Sequence, residues 1–149
     1  CAANLVVVPR FFLSTSCIEA RSPLSATARR AGWVGCNIVL KQLPPDGKIP
    51  VVSDRRAMKP SEVRAEYARF RFMMGEKSDL RGWTADVLKI IRSLSKKEFR
   101  LEEVYGFEGE LGRLHPANTH IRPKIRQQLQ LLRDKGVIEF RGSGLYRLS

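Results

Sequence analysis

The chain has 149 residues, enough for one ordinary domain or two small ones, and its hydrophobic fraction of 43% excludes wholesale disorder. Its 27 basic and 15 acidic side chains leave a formal net charge of +12, which indicates a polyanionic partner, most often nucleic acid. Divided after Leu80, the first part has 13 basic against 7 acidic residues and the second has 14 against 8, so each carries +6. We therefore expect both parts to face the same polyanion.

The cysteines and the start of the chain indicate its compartment. Cys1, Cys17 and Cys36 are too far apart for a paired zinc-binding motif, and their odd number indicates reduced thiols in a cytoplasm. No apolar run reaches the length of a membrane span, and the first residues lack the layout of a signal peptide. Because the chain begins with Cys1 rather than methionine, we expect it to be a fragment of a longer polypeptide.

The first part of the chain predicts short strands followed by one helix. Its first apolar run ends at a proline and is rich in β-branched residues, which predicts a buried strand. Strands are predicted at 5–8, continued by 11–13, at 37–40 and at 49–52, with a loop at 14–25 and a turn at 44–47. Pro60 begins the helix, because proline suits a first helical turn. The apolar face of that helix is Val63, Tyr67, Phe70 and Met74.

Residues 27–36 combine two arginines with a tryptophan between two glycines. Arg29 and Arg30 precede Trp33, which stands between Gly32 and Gly35. Flanking glycines free the backbone, so this stretch can present the indole outward or let another surface approach closely. The alternative is that Trp33 anchors a core, the usual fate of a single tryptophan.

The middle of the chain predicts the start of a small helical domain. Residues 75–81 are polar and break the helical periodicity, so a linker is predicted there. Thr84 is expected to cap the next helix, with Trp83 as the hydrophobic residue that precedes the cap. A short strand is predicted at 97–100 and a second helix at 101–114, with a turn at 115–119.

The last thirty residues predict a basic helix followed at once by a hairpin. The helix has one apolar stripe, formed by Ile121, Ile125, Leu129 and Leu132. Gly136 ends it, and an alternating strand then leads into Gly142, Ser143 and Gly144, which supply the positive-φ positions of a tight turn. The order helix, strand, helix, helix, hairpin is that of a winged-helix domain. The predicted fold class is therefore α+β, with a C-terminal winged helix-turn-helix.

Four stretches of sequence carry a resemblance to a known family. They are TARRAGWVGCNI at 27–38, RGWT at 81–84, HIRPKIRQQLQLLRDK at 120–135 and IEFRGSGLYR at 138–147. In these stretches the chain resembles the DpnI-type methyl-directed restriction endonucleases, the Dam-replacing family. The resemblance runs from about Asn4 to the end of the chain. It implies that residues 1–76 are the C-terminal remnant of a PD-(D/E)xK-type nuclease domain and that 77–149 are a winged-helix domain.

The resemblance also implies a target and a chemistry. Members of the family recognise GATC whose adenines carry an N6-methyl group, and they cut the DNA with divalent metal. Their metal-binding Asp, their Glu-x-Lys and a structural zinc site would all lie before Cys1. Magnesium and zinc are therefore expected only in that missing part. Asp46 and Lys48 form an isolated D-x-K inside a Pro/Gly turn, and the turn is the favoured interpretation. We expect no catalytic or metal-binding residue in this chain and no cutting by the chain alone.

The winged helix supplies most of the predicted DNA contacts. In helix-turn-helix proteins the N-terminal residues of the recognition helix meet base edges. The candidates are Asn118, Thr119, His120, Arg122, Lys124, Arg126 and Gln127. Arg126 and Gln127 are predicted to touch bases, because arginine suits guanine and glutamine suits adenine, while Arg122 and Lys124 suit phosphates. Asn118 and Thr119 have a rival role as the cap of that helix.

Two further groups complete the candidate site. On the wing, Arg141, Ser143 and Arg147 are predicted to contact the DNA backbone, although a solvated hairpin is the alternative. In the first part, the resemblance implies that Trp33 lies near the methylated adenines. Arg29 and Arg30 beside it are predicted to hold phosphates.

The resulting hypothesis is a cytoplasmic, monomeric protein that binds double-stranded DNA, preferably methylated GATC, as the specificity part of a type II restriction endonuclease. The alternative is a non-catalytic winged-helix transcriptional regulator, which composition and pattern alone support equally. A winged helix used for protein assembly is a third possibility, but the charge of +6 on the second part argues against it.

Overall fold

The computed structural model describes residues 3–149, so Cys1 lies outside the described residues. Its first part contains two small antiparallel sheets, a three-stranded one of order β1-β4-β5 and the pair β2-β3, followed by helix α1. The bounds are β1 Leu5–Val7, β2 Ile18–Ala20, β3 Cys36–Ile38, β4 Ile49–Ser53, β5 Arg56–Ala57 and α1 Pro60–Arg69.

The second part is a bundle of helices closed by a three-stranded antiparallel sheet of order β6-β8-β7. Its elements are α2 Ser78–Ser93, β6 Glu98–Arg100, α3 Leu101–Tyr105, α4 Glu108–Leu114, α5 Ile121–Asp134, β7 Ile138–Gly142 and β8 Leu145–Leu148. Helices and sheets occur in both parts, which confirms the predicted α+β class. None of the helices in the described part is both long and apolar enough to cross a membrane.

One hydrophobic core runs through both parts of the chain. Phe12 and Met73 from the first part belong to the same buried cluster as Trp83 in α2 and Leu129 in α5. Within the first part of the chain, the rings of Phe12 and Phe70 pack edge to face with their centroids 5.3 Å apart. Burial of apolar surface is the main force that stabilises a fold. The two parts of the chain are therefore held together by the same hydrophobic effect that stabilises each part.

The predicted linker at 75–81 is wrong. A 3-10 helix, Arg71–Gly75, leads almost directly into α2, so only Glu76 and Lys77 separate the two. The polar composition of this stretch suits a loop, but residues 78–81 form the first turn of α2, and the residues from Gly82 onward are buried. Tertiary packing therefore overrides the local pattern. The domain boundary between residues 76 and 77 stays a prediction.

The predicted capping role of Thr84 is also wrong. Trp83 and Thr84 lie inside α2, which begins six residues before Thr84, so they neither precede nor cap the helix. The Thr84 hydroxyl instead lies 2.8 Å from the carbonyl oxygen of Leu80, the usual partner of a mid-helix threonine. The indole of Trp83 is fully buried and stacks on the ring of His115 at a centroid distance of 4.0 Å.

The predicted helix at 101–114 is two helices. The chain breaks at Gly106 and Phe107, between α3 and α4, because glycine is a weak helix former. Glu103 holds the start of α3: its Oε2 accepts a hydrogen bond of 2.8 Å from the backbone N–H of Arg100. The hydrogen bond from Lys96, followed by that from Arg100, lowers the pKa of the Glu103 carboxyl and keeps it charged at the helix N-terminus.

The strand at 5–8 was predicted to be buried, and it is exposed. Leu5, Val6 and Val7 form β1, which pairs with β4 and leaves all three side chains exposed. The continuation at 11–13 is a 3-10 helix, Arg10–Phe12, whose two phenylalanines enter the core. The predicted strand at 37–40 begins and ends earlier, as β3, and is exposed as well.

A buried polar pair joins α2 to α5. Gln128 is completely buried, and its Oε1 lies 2.8 Å from the Thr84 hydroxyl. The single proton of that hydroxyl is shared between Gln128 and the Leu80 carbonyl oxygen, and Nε2 of Gln128 has no hydrogen-bond partner among the described residues, so the pair is only partly satisfied. A buried amide without a partner is costly, whereas an apolar pair of the same shape is not.

Thr84→Val should therefore lower the free energy of unfolding by about 1–3 kcal/mol, because it removes the hydrogen bond to the buried Gln128 Oε1. Adding Gln128→Leu should recover most of that loss, because both polar groups are then gone. Chemical denaturation of the wild type, the two single variants and the double variant measures this. Losses that simply add in the double variant would contradict the coupling.

Candidate nucleic-acid interface

Helix α5 is the helix that the sequence analysis placed at the centre of the site. Its predicted apolar stripe is buried, which confirms the predicted periodicity, and Ile121 and Ile125 open the stripe at the N-terminal end. Gly136 follows the helix with φ +70°, the left-handed conformation that glycine tolerates. The side of α5 that faces away from the core is consequently open to solvent.

Three arginines share one edge of that open side. At 3.6 residues per turn, Arg122, Arg126 and Arg133 fall within about 40° of one another around the helix axis. Gln127 is exposed about 100° further round, and Lys124 is half-buried on the opposite flank. The structure therefore brings Arg122 and Arg126 together and separates Lys124 from them. Arg133 was not among the predicted site residues, although its spacing of seven from Arg126 was visible in the sequence.

The three arginines differ in what holds them. The Nε of Arg122 lies 2.7 Å from Oε2 of Glu108, and its guanidinium lies over the Tyr105 ring, 5.1 Å from the centroid. Arg133 is 2.9 Å from Oδ1 of Asp134. Arg126 makes no ion pair with any acidic side chain among residues 3–149. Among the described residues, Arg126 is therefore the arginine of this edge whose guanidinium is open to an acceptor on another molecule.

The turn that leads into α5 corrects the predicted cap. His120 is the N-cap residue, and neither Asn118 nor Thr119 caps the helix. Oδ1 of Asn118 instead accepts a hydrogen bond of 2.8 Å from the backbone N–H of His120, which fixes the turn one step before the helix. The side chains of Thr119 and His120 are exposed beside the first turn of α5.

The hairpin of β7 and β8 has the predicted tight turn. Gly142, Ser143 and Gly144 all have positive φ, of 91°, 47° and 73°. The ring of Tyr146 stacks on Phe99 from β6 and packs against the exposed ring of Phe140. These three aromatic side chains share one face of the sheet.

Tyr146 is a neutral phenol beside the arginine edge. Burial raises its pKa, and the nearby positive charge of Arg133 opposes that shift by a smaller amount. The hydroxyl therefore keeps its proton at neutral pH and remains a hydrogen-bond donor at this end of the sheet.

The two wing arginines lie on the other face of the sheet, next to acidic residues. In the strand register Arg147 stands between Glu98 and Glu139, and residues in register share a face. Nη2 of Arg141 lies 3.0 Å from Oε2 of the same Glu139. Ser143 is exposed at the tip, apart from both. The wing residues are thus divided between the tip and an outer face where acidic side chains offset their charge.

Trp33 lies on the surface of the hairpin formed by β2 and β3, with 53% of the side chain exposed. Its backbone is fixed by hydrogen bonds to Leu24 and Arg30, of 3.0 and 3.1 Å. A Cβ on Gly35 would lie 3.0 Å from the outer edge of the indole, so the absence of a side chain at Gly35 lets the ring pack close to the backbone there. A core role for Trp33 is therefore excluded, and Trp83 is the core tryptophan.

The arginines that precede Trp33 are on the same surface. Arg29 and Arg30 are exposed in the turns just before the tryptophan. Leu24 and Val34 are exposed close by, so basic and apolar side chains are mixed around the indole. A mixed surface of this kind suits a ligand with both charge and flat apolar area, such as a nucleic acid.

The described residues do not fit a magnesium or zinc site. Among residues 3–149 no group of three or more His, Cys, Asp or Glu side chains is close enough to hold a metal ion. The carboxylate of Asp46 is almost completely buried and binds Arg92 with both oxygens. It is therefore a structural ion pair that joins the turn at 44–47 to α2.

Comparison with known protein families agrees with this geometry. A family model described as the Dam-replacing family matches residues 1–76, and a second, described as the Dam-replacing HTH domain, matches residues 79–148. The second match spans α2 to β8, the part that contains α5 and the wing. Together the two matches cover nearly the whole chain, which confirms the resemblance found in the sequence. The chain belongs to the DpnI-type Dam-replacing family, and its C-terminal part is a DNA-binding helix-turn-helix domain.

Proposed function

We propose that this chain is the DNA-reading part of a methyl-directed type II restriction endonuclease and that it binds duplex GATC with N6-methylated adenines. The observation that carries the proposal is the open arginine edge of α5 within a helix-turn-helix domain. Arg126 in the second turn of α5 is exposed and lacks an acidic partner within the described range. An arginine in that state suits the O6 and N7 acceptors of a guanine, and GATC has one guanine on each strand.

The remaining candidates on α5 are assigned by their position on the helix. Gln127 is exposed beside Arg126 and suits the edge of an adenine. Arg122 and Arg133, at either end of the arginine edge, suit phosphates, as do Lys124, Thr119 and His120 near the start of the helix. Arg141, Ser143 and Arg147 of the wing are assigned to the DNA backbone, with Ser143 at the tip in the most direct position.

The hairpin around Trp33 is the proposed second reading surface. N6-methylation removes one hydrogen-bond donor from adenine and adds an apolar methyl group, so a reader of that mark needs an apolar wall. The exposed indole of Trp33, whose outer edge packs close to Gly35, supplies such a wall. Arg29 and Arg30 are assigned to the phosphates next to it.

The proposal assigns cleavage to another part of the protein. On the family resemblance, the metal-binding Asp and Glu-x-Lys, with their magnesium and zinc, are assigned to a part of the nuclease domain other than residues 3–149. The chain alone is then a reader that binds without cutting. A cytoplasmic location and a monomeric state are part of the same proposal.

The chain should bind a duplex with GATC methylated on both strands more tightly than the unmethylated duplex, because the apolar wall gains contact with the added methyl groups. Fluorescence anisotropy over a salt series measures both affinities, with a methylated duplex of scrambled site as the control. Equal affinities at every salt concentration would contradict the proposal and leave only attraction to phosphates, as a generic winged-helix regulator would show.

Arg126→Ala should cost about 1–3 kcal/mol of discrimination between GATC and an unrelated duplex, because a bidentate contact to guanine is lost. Arg133→Ala is the matched control: it lies on the same edge near the end of the helix and should weaken binding to both duplexes alike. If Arg126→Ala also weakens both duplexes alike, its assignment to a base is wrong.

Glu108→Gln should tighten binding to any duplex, because the Glu108 carboxylate occupies Arg122 and competes with a phosphate for it. One additional phosphate contact should steepen the plot of log affinity against log salt by about 0.9. Glu102→Gln removes the same charge from neighbouring α3 without an arginine partner among residues 3–149. An equal gain in both variants would show that net charge alone is responsible.

A further inference from the structure

A buried carboxylate lies between the two proposed reading surfaces. Asp86 is in the middle of α2 and is 2% exposed. Its Oδ2 lies 2.8 Å from Nε2 of His115, and its Oδ1 accepts a hydrogen bond of 3.0 Å from the hydroxyl of Ser16. One oxygen is thus held by the second part of the chain and the other by the first. Neither the family resemblance nor the composition accounts for this group.

Burial of a carboxylate is unfavourable unless hydrogen bonds replace the lost water, and Asp86 meets that condition only while both partners are in place. A polar network of this kind adds little net stability, but it specifies one arrangement, because any displacement leaves a buried charge unpaired. The packing around it is close. A Cβ on Gly82 would touch Ser14 on one side and His115 on the other, at 3.5 and 3.6 Å.

The first partner stands at the base of the Trp33 hairpin. Ser16 is in the 3-10 helix Thr15–Cys17, which runs directly into β2. The carbonyl of Cys17 accepts a hydrogen bond of 2.8 Å from the backbone N–H of Val39, just after β3. Both strands of the hairpin therefore leave from the short helix that Asp86 holds. A shift of Ser16 would move the whole hairpin.

The second partner stands at the base of the turn before α5. His115 follows α4 and stacks on Trp83, which restricts its ring to one plane. Its carbonyl accepts a hydrogen bond of 3.0 Å from the N–H of Asn118, and Asn118 in turn accepts from the N–H of His120, the N-cap of α5. A continuous chain of hydrogen bonds thus runs from Asp86 to the N-terminus of the recognition helix.

We propose that Asp86 is a positioning residue that holds the Trp33 hairpin and the N-terminus of α5 at the separation at which both engage one duplex. The inference rests on the proposed function, since it takes these two features as the reading surfaces. Asp86, Ser16 and His115 need not touch DNA. Because these residues fix the two surfaces relative to each other, binding of the duplex by one surface places the other at a high effective concentration near the same duplex.

The test uses Ser16→Ala, which removes the link to the first part and leaves the Asp86–His115 pair in place. Ser16→Thr keeps a hydroxyl and should restore the wild-type result. Ser93→Ala is the control, because it removes a serine hydroxyl that bonds only within α2, to the carbonyl of Ile90. Thermal unfolding of each variant checks that the fold persists.

The decisive measurement is duplex affinity in two backgrounds. Ser16→Ala should weaken binding on the order of tenfold when the hairpin is intact and should have no effect when Trp33, Arg29 and Arg30 are all replaced by alanine, so that the hairpin no longer contributes to binding. Ser93→Ala should have no effect in either. A loss from Ser16→Ala that is the same in both backgrounds would mean a merely structural role and would overturn the inference.

Amide hydrogen exchange of the free protein gives a readout that needs no DNA. Ser16→Ala should accelerate exchange at Val39, whose N–H bonds the Cys17 carbonyl at the base of the Trp33 hairpin, whereas Ser93→Ala should not. Unchanged exchange at the Val39 amide would also overturn the inference. Equal affinity of the wild type for methylated and unmethylated GATC would refute the proposed function. It would not refute the positioning role of Asp86, because the comparison of the two backgrounds measures total affinity for the duplex.

Discussion

The burial of α2 on all of its sides is the constraint on which the rest of the structure depends. The seven residues from Gly82 to Leu88 are buried without interruption, including Thr84 and Asp86. A helix of this kind cannot lie on a surface. One side meets the 3-10 helices and aromatic residues of the first part, and another meets α5. The matches to two family models therefore describe one packed body in which α2 is the shared element.

The same burial explains why polar side chains occur inside the molecule. A helix covered on every side must satisfy each polar group with a partner from another element. Thr84 is hydrogen-bonded to Gln128 on α5, and Asp86 is hydrogen-bonded to His115 and Ser16. These contacts are directional, so they determine how α2, α5 and the first part are placed relative to one another. Hydrophobic contact alone is not directional and would permit small displacements.

Charge acts differently at the surface. The net charge of +12 predicts a polyanionic partner, but it does not show which basic side chains are free to bind that partner. Arg92 is bound by Asp46, Arg122 by Glu108 and Arg141 by Glu139. Arg126 and Trp33 are exposed on surfaces that other described side chains leave open. The availability of each side chain depends on neighbours from distant parts of the sequence, so it cannot be read from composition.

Local signals were predicted well wherever one segment carries the whole pattern. The periodicity of α5, the glycine that ends it and the positive-φ turn of the wing each follow from residues within one stretch, whereas the single helix predicted at 101–114 is the two helices α3 and α4. The four sequence stretches that resemble the family are also continuous segments of the chain. The failures at Thr84 and at residues 75–81 have one cause. The start of α2 is polar by composition and stays exposed at Ser78 and Asp79, and packing of the residues from Gly82 onward against other elements makes it part of a helix.

By itself, the sequence determined that this is a basic α+β chain of the Dam-replacing family with a helix-turn-helix and wing at its end. Only the tertiary structure decided which tryptophan is core and which is surface, which arginine is open and where α2 begins. It alone revealed Asp86 between Ser16 and His115. Ser16 and Asp86 are 70 residues apart in the chain. No periodicity, cap or turn connects residues at that separation, and only folding brings their atoms together.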